Sequence, residues 1–303
     1  MKEIGTKCKV SIIIATYRRD KTLREAIASV MQQKSTAKIE VIVVDDNAEL
    51  EWNNRVQEIV KAFSKYGKEI QLIVNKKNLG SANSRNRGIE AASGEYVSFL
   101  DDDDVYLENK VERQLTHMIR NNADFSITDL ALYSENEVLI EKRNRYYIKS
   151  YDKDSLLRYH FMFHMTGTDT LMFKKQYLAK IGGFPPIDSG DEFYLMKNAI
   201  EAGGKLTYLD VCDIKAYVHA GDGGLSSGEI KIAGENQLYL FKKQYFSRFD
   251  KKTQRYISVR HYVVIAFAEL RMRRIFFAVQ HATHAFVVSP IAFLKILFNV
   301  IKK

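Results

Sequence analysis

Residues 95–104 read E-Y-V-S-F-L-D-D-D-D, a mostly apolar run that leads directly into four aspartates. The apolar part, residues 96–100, predicts a short buried β-strand. Four adjacent carboxylates repel one another, so a fold that gathers them at a strand end needs a compensating charge. A divalent cation would provide it, because hard cations take oxygen ligands and often bridge carboxylates to phosphates. The alternative is a solvated acidic turn.

Three more predicted strands precede this one, and each is followed by a predicted helix. Apolar, β-branched segments predict strands at residues 10–15, 40–44 and 70–74. Apolar residues at helical spacing predict helices at residues 22–33, 52–66 and 84–92. This alternation predicts right-handed β-α-β units in a mostly parallel sheet with helices on both faces. Further along the chain, two more strands are predicted at residues 170–173 and 214–218.

Polar clusters follow three of these strands at the point where each strand ends. Tyr17 follows the first strand, Asp45 and Asp46 follow the second, and aspartates 101–104 follow the fourth. Ligands of such sheets bind beyond the carboxyl ends of the strands, so we predict an active site at this rim. The first strand-to-helix turn contains no glycine and the chain has no Walker A sequence, which excludes the usual backbone phosphate loops. Phosphate would therefore be held by a cation and side chains.

Charge and cysteine content narrow the choice of partners. The net charge of this 303-residue chain is +9, with the basic excess concentrated near the C-terminus. Nucleic acid, an anionic membrane surface or a phosphorylated substrate could each explain such a charge. No nucleic-acid-binding motif is present, so we expect no nucleic-acid partner and favour a membrane surface. Cys8 and Cys212 suit a reducing compartment, and the N-terminus leaves no room for a signal peptide, which predicts a cytoplasmic location.

Several segments, in this order along the chain, resemble the family 2 glycosyltransferases. They are S-I-I-I-A-T-Y-R (11–18), V-I-V-V-D-D-N (41–47), N-L-G-S-A-N-S-R-N-R-G-I (78–89), G-E-Y-V-S-F-L-D-D-D-D (94–104), and I-G-G-F-P-P (181–186) followed by G-D-E-F-Y-L (190–195). The resemblance implies the GT-A fold, a Rossmann-like, mostly parallel central sheet flanked by helices. It implies a catalytic domain over residues 1–228, in which residues 1–104 bind the nucleotide sugar and residues 105–228 bind the acceptor.

The resemblance also assigns residues to the nucleotide-sugar donor. It implies that Tyr17 packs on the nucleotide base, that Asp46 accepts a hydrogen bond from the base, and that Arg85 pairs with phosphate. A carboxylate can read the ring N–H of uracil or thymine, so a UDP-sugar is favoured, with a dTDP-sugar as the other possibility. Tyr17 could instead be a core tyrosine, and Arg85 could belong to a solvated helix face.

Aspartates 101–103 match the D-x-D region of the family. The resemblance implies that Asp101 and Asp102 reach the ribose and that Asp103 binds Mn²⁺ or Mg²⁺, while Asp104 is structural. The cation would neutralise the departing nucleotide diphosphate. The resemblance further implies that His219 contacts the metal or the diphosphate, although a lone histidine is more often structural.

The pair Asp191-Glu192 opens a predicted helix that ends near Ala202. Most relatives have Glu-Asp at this place, with the second residue as general base. The resemblance therefore implies Glu192 as the base and leaves Asp191 as the runner-up. Such a base would take the proton of an acceptor hydroxyl while its oxygen attacks the anomeric carbon opposite to UDP, which inverts the configuration. Both acids could instead interact with the helix dipole as first-turn residues.

Residues 229–303 form a predicted helical extension of different character. Residues 253–274 predict a basic amphipathic helix, and residues 275–294 carry no charge but include polar residues and Pro290. The uncharged stretch is long enough to span a bilayer, but its interruptions favour helices that lie in the membrane interface. Soluble packing or a homo-oligomer contact is the second possibility. Interfacial binding would suit a carbohydrate or lipid-linked acceptor, in cell-surface polysaccharide or glycoconjugate assembly at the cytoplasmic face of a membrane.

Two other functions fit parts of the sequence. A nucleotidyltransferase on a related α/β fold usually carries a glycine-rich, basic loop after its first strand, where this chain has Ala15, Thr16 and Tyr17. A membrane-docking module that has lost catalysis would have disrupted acidic clusters, and the clusters here are intact. Both features favour the glycosyltransferase prediction.

Overall fold

The computed structural model describes residues 8–187, 190–218 and 228–301. Its strands form two β-sheets. The strands are β1 (Lys9–Thr16), β2 (Lys38–Asp45), β3 (Glu69–Val74), β4 (Tyr96–Phe99), β5 (Val105–Tyr106), β6 (Phe125–Thr128), β7 (Leu130–Ser134), β8 (Leu139–Arg143), β9 (Met172–Lys174), β10 (Leu206–Leu209) and β11 (Ile214–Val218). The longer strands are rich in valine and isoleucine, whose branched side chains pack well on a pleated surface.

The larger sheet has seven strands in the order β10-β6-β9-β4-β1-β2-β3. β1 pairs in parallel with both β2 and β4, β2 pairs in parallel with β3, and β6 with β10. β9 is antiparallel to its two neighbours, β4 and β6. The predicted mostly parallel sheet is therefore confirmed. β1 and β4 lie side by side in its interior, so the residues that follow them meet at one rim.

Helices flank this sheet and form a second group near the C-terminus. They are α1 (Lys21–Met31), α2 (Leu50–Phe63), α3 (Ser81–Ala91), α4 (Lys110–Arg120), α5 (Lys153–Phe163), α6 (Lys175–Lys180), α7 (Asp191–Glu201), α8 (Gly228–Lys243), α9 (Lys251–Arg271), α10 (Ile275–Val288) and α11 (Pro290–Ile301). In α1, Leu23, Ile27 and Val30 share the buried face, as their helical spacing predicts. They join a core that includes Val10 and Ile12 of β1.

The smaller sheet has the strand order β5-β11-β7-β8. β11 is antiparallel to β5 and parallel to β7, and β8 closes the sheet as a hairpin with β7. Of these strands, only β11 was predicted from the sequence. Because β5 directly follows aspartates 101–104, this sheet lies next to the predicted acidic site.

One predicted strand differs from the structure in a way that matters for the site. The strand predicted at residues 170–173 begins only at Met172, because Thr168–Thr170 form a 3-10 turn. The Thr170 N–H and hydroxyl both donate to the Gly167 carbonyl oxygen, at 2.9 and 2.7 Å. This turn carries Asp169 to the rim of the larger sheet.

The described chain divides into two compact units. The first comprises the described parts of residues 1–153 and 165–219, and the second comprises those of residues 154–164 and 220–303. Nearly all of α5 thus belongs to the second unit, although it falls inside the range predicted for the catalytic domain. A small core in the second unit joins Val259 and Val263 of α9 to side chains of α10 and α11.

The uncharged stretch at residues 275–294 is divided between two helices. α10 ends at Val288 and α11 begins at Pro290. Proline is favoured at the first position of a helix, where its missing N–H removes no hydrogen bond. Within the three described ranges, no helix has both the length and the apolar character needed to cross a bilayer.

Candidate active site

The aspartates in the turn that follows β4 contact different neighbours. The Asp104 N–H donates to the Asp101 carbonyl oxygen at 3.2 Å and closes the turn. Asp102 reaches the end of β1, where its Oδ2 accepts from the Thr16 hydroxyl at 2.7 Å and from the Tyr17 N–H at 3.3 Å. The parallel pairing of β1 with β4 explains this meeting, because both strands end at the same rim.

Asp101, Asp104 and Asp169 form a carboxylate cluster at this rim. One oxygen of each lies within 4.8 Å of the other two. Asp169 enters from the turn before β9, and its Oδ1 accepts from the Asp101 N–H at 2.7 Å. Asp104 Oδ1 accepts from the N–H of Tyr217 in β11 at 2.8 Å. The cluster therefore ties together β4, the turn before β9 and the smaller sheet.

Burial disfavours the charged forms of four acids at this rim, Asp101, Asp102, Asp104 and Asp169. Burial raises the pKa of Asp101 to about 8, with the Asp169 carboxylate adding to the effect and Arg85 opposing it. Burial and Asp169 also raise the pKa of Asp104 well above its ordinary value, and burial raises the pKa of Asp169 itself. Burial raises the pKa of Asp102 to about 6, although a hydrogen bond from the end of β1 favours its charged form. Protons or a cation can relieve this repulsion.

The ligand chemistry of the cluster fits a hard divalent cation. Two oxygens on opposite sides of Mg²⁺ lie about 4.2 Å apart, so carboxylate oxygens separated by at most 4.8 Å can surround one ion after small movements. Asp103, predicted from the sequence as the metal ligand, lies beside the cluster in the chain. Its Oδ2 forms an ion pair with Arg19 at 2.9 Å. Asp104, for which the resemblance implies a structural role, is a member of the cluster.

Arg85 of α3 connects the acidic turn to a distant part of the chain. Its guanidinium donates to Asp101 Oδ1 at 2.7 Å and to Asp191 Oδ2 at 2.9 Å, and it stacks on the Phe184 ring at 5.3 Å. The neighbouring Asn86 exchanges two hydrogen bonds with the Phe184 backbone, at 2.7 and 2.9 Å. The segment N-S-R-N of α3 thus fastens the turn before α7 to the rim.

Asp191 and Glu192 begin α7, and the structure gives them different roles. Both Asp191 oxygens accept hydrogen bonds, Oδ2 from Arg85 and Oδ1 from the Glu192 N–H at 3.0 Å. Burial, together with the negative charge of Asp191, raises the pKa of Glu192 to about 7. A carboxyl group with this pKa can accept a proton at neutral pH.

Asp46 is buried and organises the loop before α3. Its Oδ1 accepts from the Asn75 side chain at 2.7 Å and from the Leu79 N–H at 2.8 Å, and its Oδ2 accepts from the Gly80 N–H at 2.9 Å. A carboxylate has about four acceptor positions, so one remains.

Tyr17 is 45% exposed at the rim and is not a core residue.

A buried lysine lies behind the acidic turn. Lys110 Nζ donates to the Ser98 hydroxyl at 2.7 Å and to the Tyr106 hydroxyl at 2.9 Å. Burial lowers the pKa of Lys110 to about 7, while the nearby Asp169 favours its charged form. The Tyr106 hydroxyl in turn donates to the Phe99 carbonyl oxygen at the end of β4. This group supports the strand from which the aspartates emerge.

The structure joins most of the residues predicted for the site by direct contacts. One set links Tyr17 to Asp102, and another links Asp101 to Asp191 through Arg85. The predicted ligand His219 lies outside the described residues. Asp169 and Lys110 were missed, because a single acid in T-G-T-D-T and a single lysine at a helix start carry no pattern in the sequence.

Comparison with known proteins gives consistent matches. The family model described as Glycosyl transferase family 2 matches residues 11–181. An uncharacterized glycosyltransferase of Rickettsia bellii is 39% identical over 143 residues, which are 47% of this chain and 20% of that protein. UDP-Glc:alpha-D-GlcNAc-diphosphoundecaprenol beta-1,3-glucosyltransferase WfgD of Escherichia coli is 32% identical over 130 residues, which are 43% of this chain and 49% of that protein. This chain therefore spans less than half the length of each of these two relatives.

Solved structures show the same fold. The crystal structure of S. aureus TarS 1-349 in complex with UDP-GlcNAc matches with a TM-score of 0.60 at 16% identity, over 92% of this chain and 89% of that one. At this identity the likeness establishes the fold alone. The family model covers more than half of the chain, including the run of aspartates and Arg85. The protein therefore belongs to glycosyl transferase family 2.

Proposed function

We propose that this protein is a metal-dependent, inverting glycosyltransferase that moves a sugar from a UDP-sugar or a dTDP-sugar to a hydroxyl acceptor. The observation that carries the proposal is the continuous line of contacts from Asp101 through Arg85 to Asp191 and Glu192. This line connects the rim where a nucleotide diphosphate would bind to a carboxyl group suited to general base catalysis.

On the acceptor side, Glu192 is the proposed base. Asp191 has one oxygen in its ion pair with Arg85 and the other on the Glu192 N–H, so we assign it a positioning role. Glu192 would take the proton of the acceptor hydroxyl as that oxygen bonds to the anomeric carbon. The bond between this carbon and the phosphate oxygen breaks on the opposite side, and its electron pair leaves with the nucleotide diphosphate. One such displacement inverts the configuration.

On the donor side, Tyr17 and Asp46 are proposed to bind the nucleotide base, and Asp101 and Asp102 the ribose. The exposed ring of Tyr17 is available for stacking. The acceptor position that remains on Asp46 suits the ring N–H of uracil or thymine. Arg85 holds Asp101 in place, and a guanidinium has five N–H donors, so others can still reach a phosphate.

Mn²⁺ or Mg²⁺ would be held by the acids of the rim. The candidates are Asp103, on the basis of the sequence, and Asp101, Asp104 and Asp169, on the basis of their spacing. When bound, such a cation neutralises negative charge on the departing nucleotide diphosphate. His219 stays a sequence-based prediction for the same site.

The proposed acceptor is a carbohydrate or a lipid-linked sugar, in cell-surface polysaccharide or glycoconjugate assembly at the cytoplasmic face of a membrane. The name of WfgD gives UDP-Glc as donor and a sugar on diphosphoundecaprenol as acceptor. The matching TarS structure contains UDP-GlcNAc. Both support a nucleotide-sugar donor for this chain, with UDP favoured.

Donor hydrolysis tests the proposal. The purified protein is incubated with Mn²⁺ and a panel of UDP-, dTDP- and GDP-sugars, and released nucleotide diphosphate is measured. Release from a UDP-sugar or dTDP-sugar that is lost in Asp103→Ala and in Asp101→Asn would support the class and identify the donor. Release that both variants retain would separate the activity from the acidic rim and contradict the proposal.

A further inference from the structure

The outer side of the last two helices exposes an unusual amount of apolar surface. The large apolar side chains that are more than a third exposed there are Ile275, Phe276, Phe277, Val279, Phe286, Val287, Ile291, Leu294 and Phe298. Phe276 is 77% exposed and Ile291 is 83% exposed. We call this surface the outer face of α10 and α11. Patches of this kind mark interaction sites in soluble domains.

The outer face does not result from loosely packed helices. The inner sides of α10 and α11 contribute Ala285 and Ile296 to a core with Val259 and Val263 of α9. The two helices are therefore apolar on both sides, which is typical of helices that have partners on both sides. Phe286 and Phe293, with ring centroids 5.9 Å apart, connect the two helices at their junction.

Nearly all basic excess of the protein lies in the sequence from α9 onward, and part of it borders this face. Residues 251–303 contain ten lysines and arginines and one acid, while residues 1–250 contain 36 of each sign. Arg271, Arg273 and Arg274 immediately precede α10, and Lys295 lies in α11. Apolar side chains bordered by basic residues fit a surface that is anionic outside and apolar beneath.

We propose that the outer face of α10 and α11 docks on an anionic lipid bilayer, with its phenylalanine and isoleucine side chains entering the boundary between headgroups and acyl chains. A second copy of this chain is the less favourable occupant. In a symmetric dimer the same patch meets itself, which would bring the two sets of basic residues together. The proposal concerns the second unit and does not depend on sugar transfer.

The docking helices contain the uncharged stretch at residues 275–294 that the sequence predicts for the membrane interface, but the basic helix before it does not share that surface. The basic amphipathic helix predicted at residues 253–274 corresponds to α9. Its apolar residues Ile257, Val259, Val263 and Ile265 are buried within the protein, so they are not available to lipid. The binding energy would come from α10 and α11, and the exposed Arg271 and Arg273 at the end of α9 would contact the headgroups, whereas Arg274 is paired with Glu229 and Glu269.

Vesicle co-sedimentation of the full chain tests the proposal. The vesicles consist of phosphatidylcholine alone or of phosphatidylcholine with about one third phosphatidylglycerol. We expect binding to the anionic vesicles, and weakening by about 0.5 M NaCl because salt screens the headgroup charge. The double variant Phe276→Ser with Ile291→Ser should bind at least about tenfold more weakly, because it removes two exposed anchors. The double variant Arg271→Gln with Arg273→Gln should lose about fivefold per charge.

Two matched variants serve as controls. Leu240→Ser removes a similarly exposed apolar side chain from α8, and the pair Lys251→Gln with Lys252→Gln removes two charges from the opposite end of α9. Both should bind as the unchanged protein does. Melting temperatures of all variants check that they are folded, and we expect them to be similar because every altered side chain is exposed.

Three results would overturn the proposal. The unchanged protein could stay in the supernatant with anionic vesicles, or the Phe276→Ser and Ile291→Ser variant could bind as strongly as the controls. In the third result, light scattering shows that the unchanged protein is a dimer and that the Phe276→Ser and Ile291→Ser variant is a monomer, while the unchanged protein does not bind vesicles. That outcome would assign the outer face to a second copy of the chain.

Discussion

Arg85 is a nearly buried cation whose charge is shared by two carboxylates from distant parts of the chain. Asp101 follows β4, whereas Asp191 begins α7, and the guanidinium lies between them. A buried ion pair contributes little compared with apolar packing, but removal of one partner leaves a buried charge without compensation. The arginine therefore decides whether the acidic rim and the proposed base keep their relative positions.

Replacement of Arg85 by methionine should lower the free energy of unfolding by about 3 kcal/mol, because the buried Asp191 and the partly buried Asp101 lose their cation. Arg85→Lys should lower kcat/KM, because an ammonium cannot bridge both carboxylates with the same geometry. Urea denaturation and nucleotide release measure the two effects. The control is Arg55→Met, which breaks pairs with Glu51 and Asp20 in which all three side chains are more than a third exposed, and which should cost less than about 1 kcal/mol. Equal losses in both variants would contradict the positioning role.

Glu192 should give the reaction an ascending pH dependence. Burial and Asp191 raise its pKa to about 7, and a general base must be deprotonated to act, so kcat should rise with pH through this region. Glu192→Gln should remove the ascending limb and lower kcat by about 10² to 10⁴. A pH profile of nucleotide release with donor and acceptor saturating measures both. If Asp191→Asn removes the limb and Glu192→Gln retains it, the assignment of the two acids is reversed.

The sequence identifies those site residues that stand at the ends of strands or in a recognisable segment. Asp46 and aspartates 101–104 directly follow apolar runs, and their place at the rim is a consequence of the parallel sheet. Asp169 could not be predicted in this way. It reaches the rim because β9 enters the sheet antiparallel between β4 and β6, and no local pattern encodes that pairing.

At the level of elements, Glu40 of β2 joins three neighbouring segments of the larger sheet. Its carboxylate accepts hydrogen bonds from the Ser11 hydroxyl of β1 and from Ser93 and Gly94 in the turn before β4, and it pairs with Lys9 at 2.8 Å. Burial alone would raise the pKa of Glu40, but these partners lower it to about 2. The charged form is therefore strongly preferred in the folded protein.

Glu40→Gln should reduce the free energy of unfolding by about 3 kcal/mol at neutral pH, the order of magnitude that follows from the lowered pKa. A folded pKa of about 2 against 4.5 in the unfolded chain means that this stabilisation is present above pH 4.5 and is lost as the pH falls towards 2. Urea denaturation at several pH values should thus show a shallower acid dependence in the variant. The control, Glu69→Gln, alters the 69% exposed partner of Lys9 and should cost less than about 1 kcal/mol. An unchanged acid dependence in Glu40→Gln would contradict this prediction.

Prediction of helices and strands succeeds where the local periodicity of apolar residues determines the element. It fails where pairing between distant strands determines it. β1 to β4 and α1 to α3 form within a few residues of their predicted bounds, because the strands are apolar runs and α1 and α2 each have an apolar buried face. The smaller sheet was mostly missed, since β5 has only two residues and β7 and β8 are partly exposed. α10 and α11 were expected as one apolar stretch, and Pro290 starts the second helix.

For the molecule as a whole, we expect the candidate site to reduce the free energy of unfolding at neutral pH when no cation is bound. Burial raises the pKa of Asp101 to about 8 and of Asp102 to about 6. A raised folded pKa stabilises the protein below the unfolded value, and this contribution is lost as the pH rises through the folded pKa. The first unit should therefore lose stability between about pH 4 and pH 8, where these acids give up their protons.

A divalent cation should reverse this loss, and its effect should depend on pH. Mn²⁺ or Mg²⁺ competes with protons for the same oxygens, so it should raise the melting temperature clearly at about pH 7.5 and hardly at all at about pH 5. At a hundred times its dissociation constant, a cation contributes about 2.7 kcal/mol. Asp169→Asn and Asp103→Asn should each weaken binding at least about tenfold if both belong to the ligand set, whereas Glu58→Gln on the exposed side of α2 should not. Retained binding in Asp103→Asn would restrict the ligands to the cluster, and retained binding in Asp169→Asn would make the cluster structural. A shift of equal size at both pH values would mean that the cation binds away from these acids.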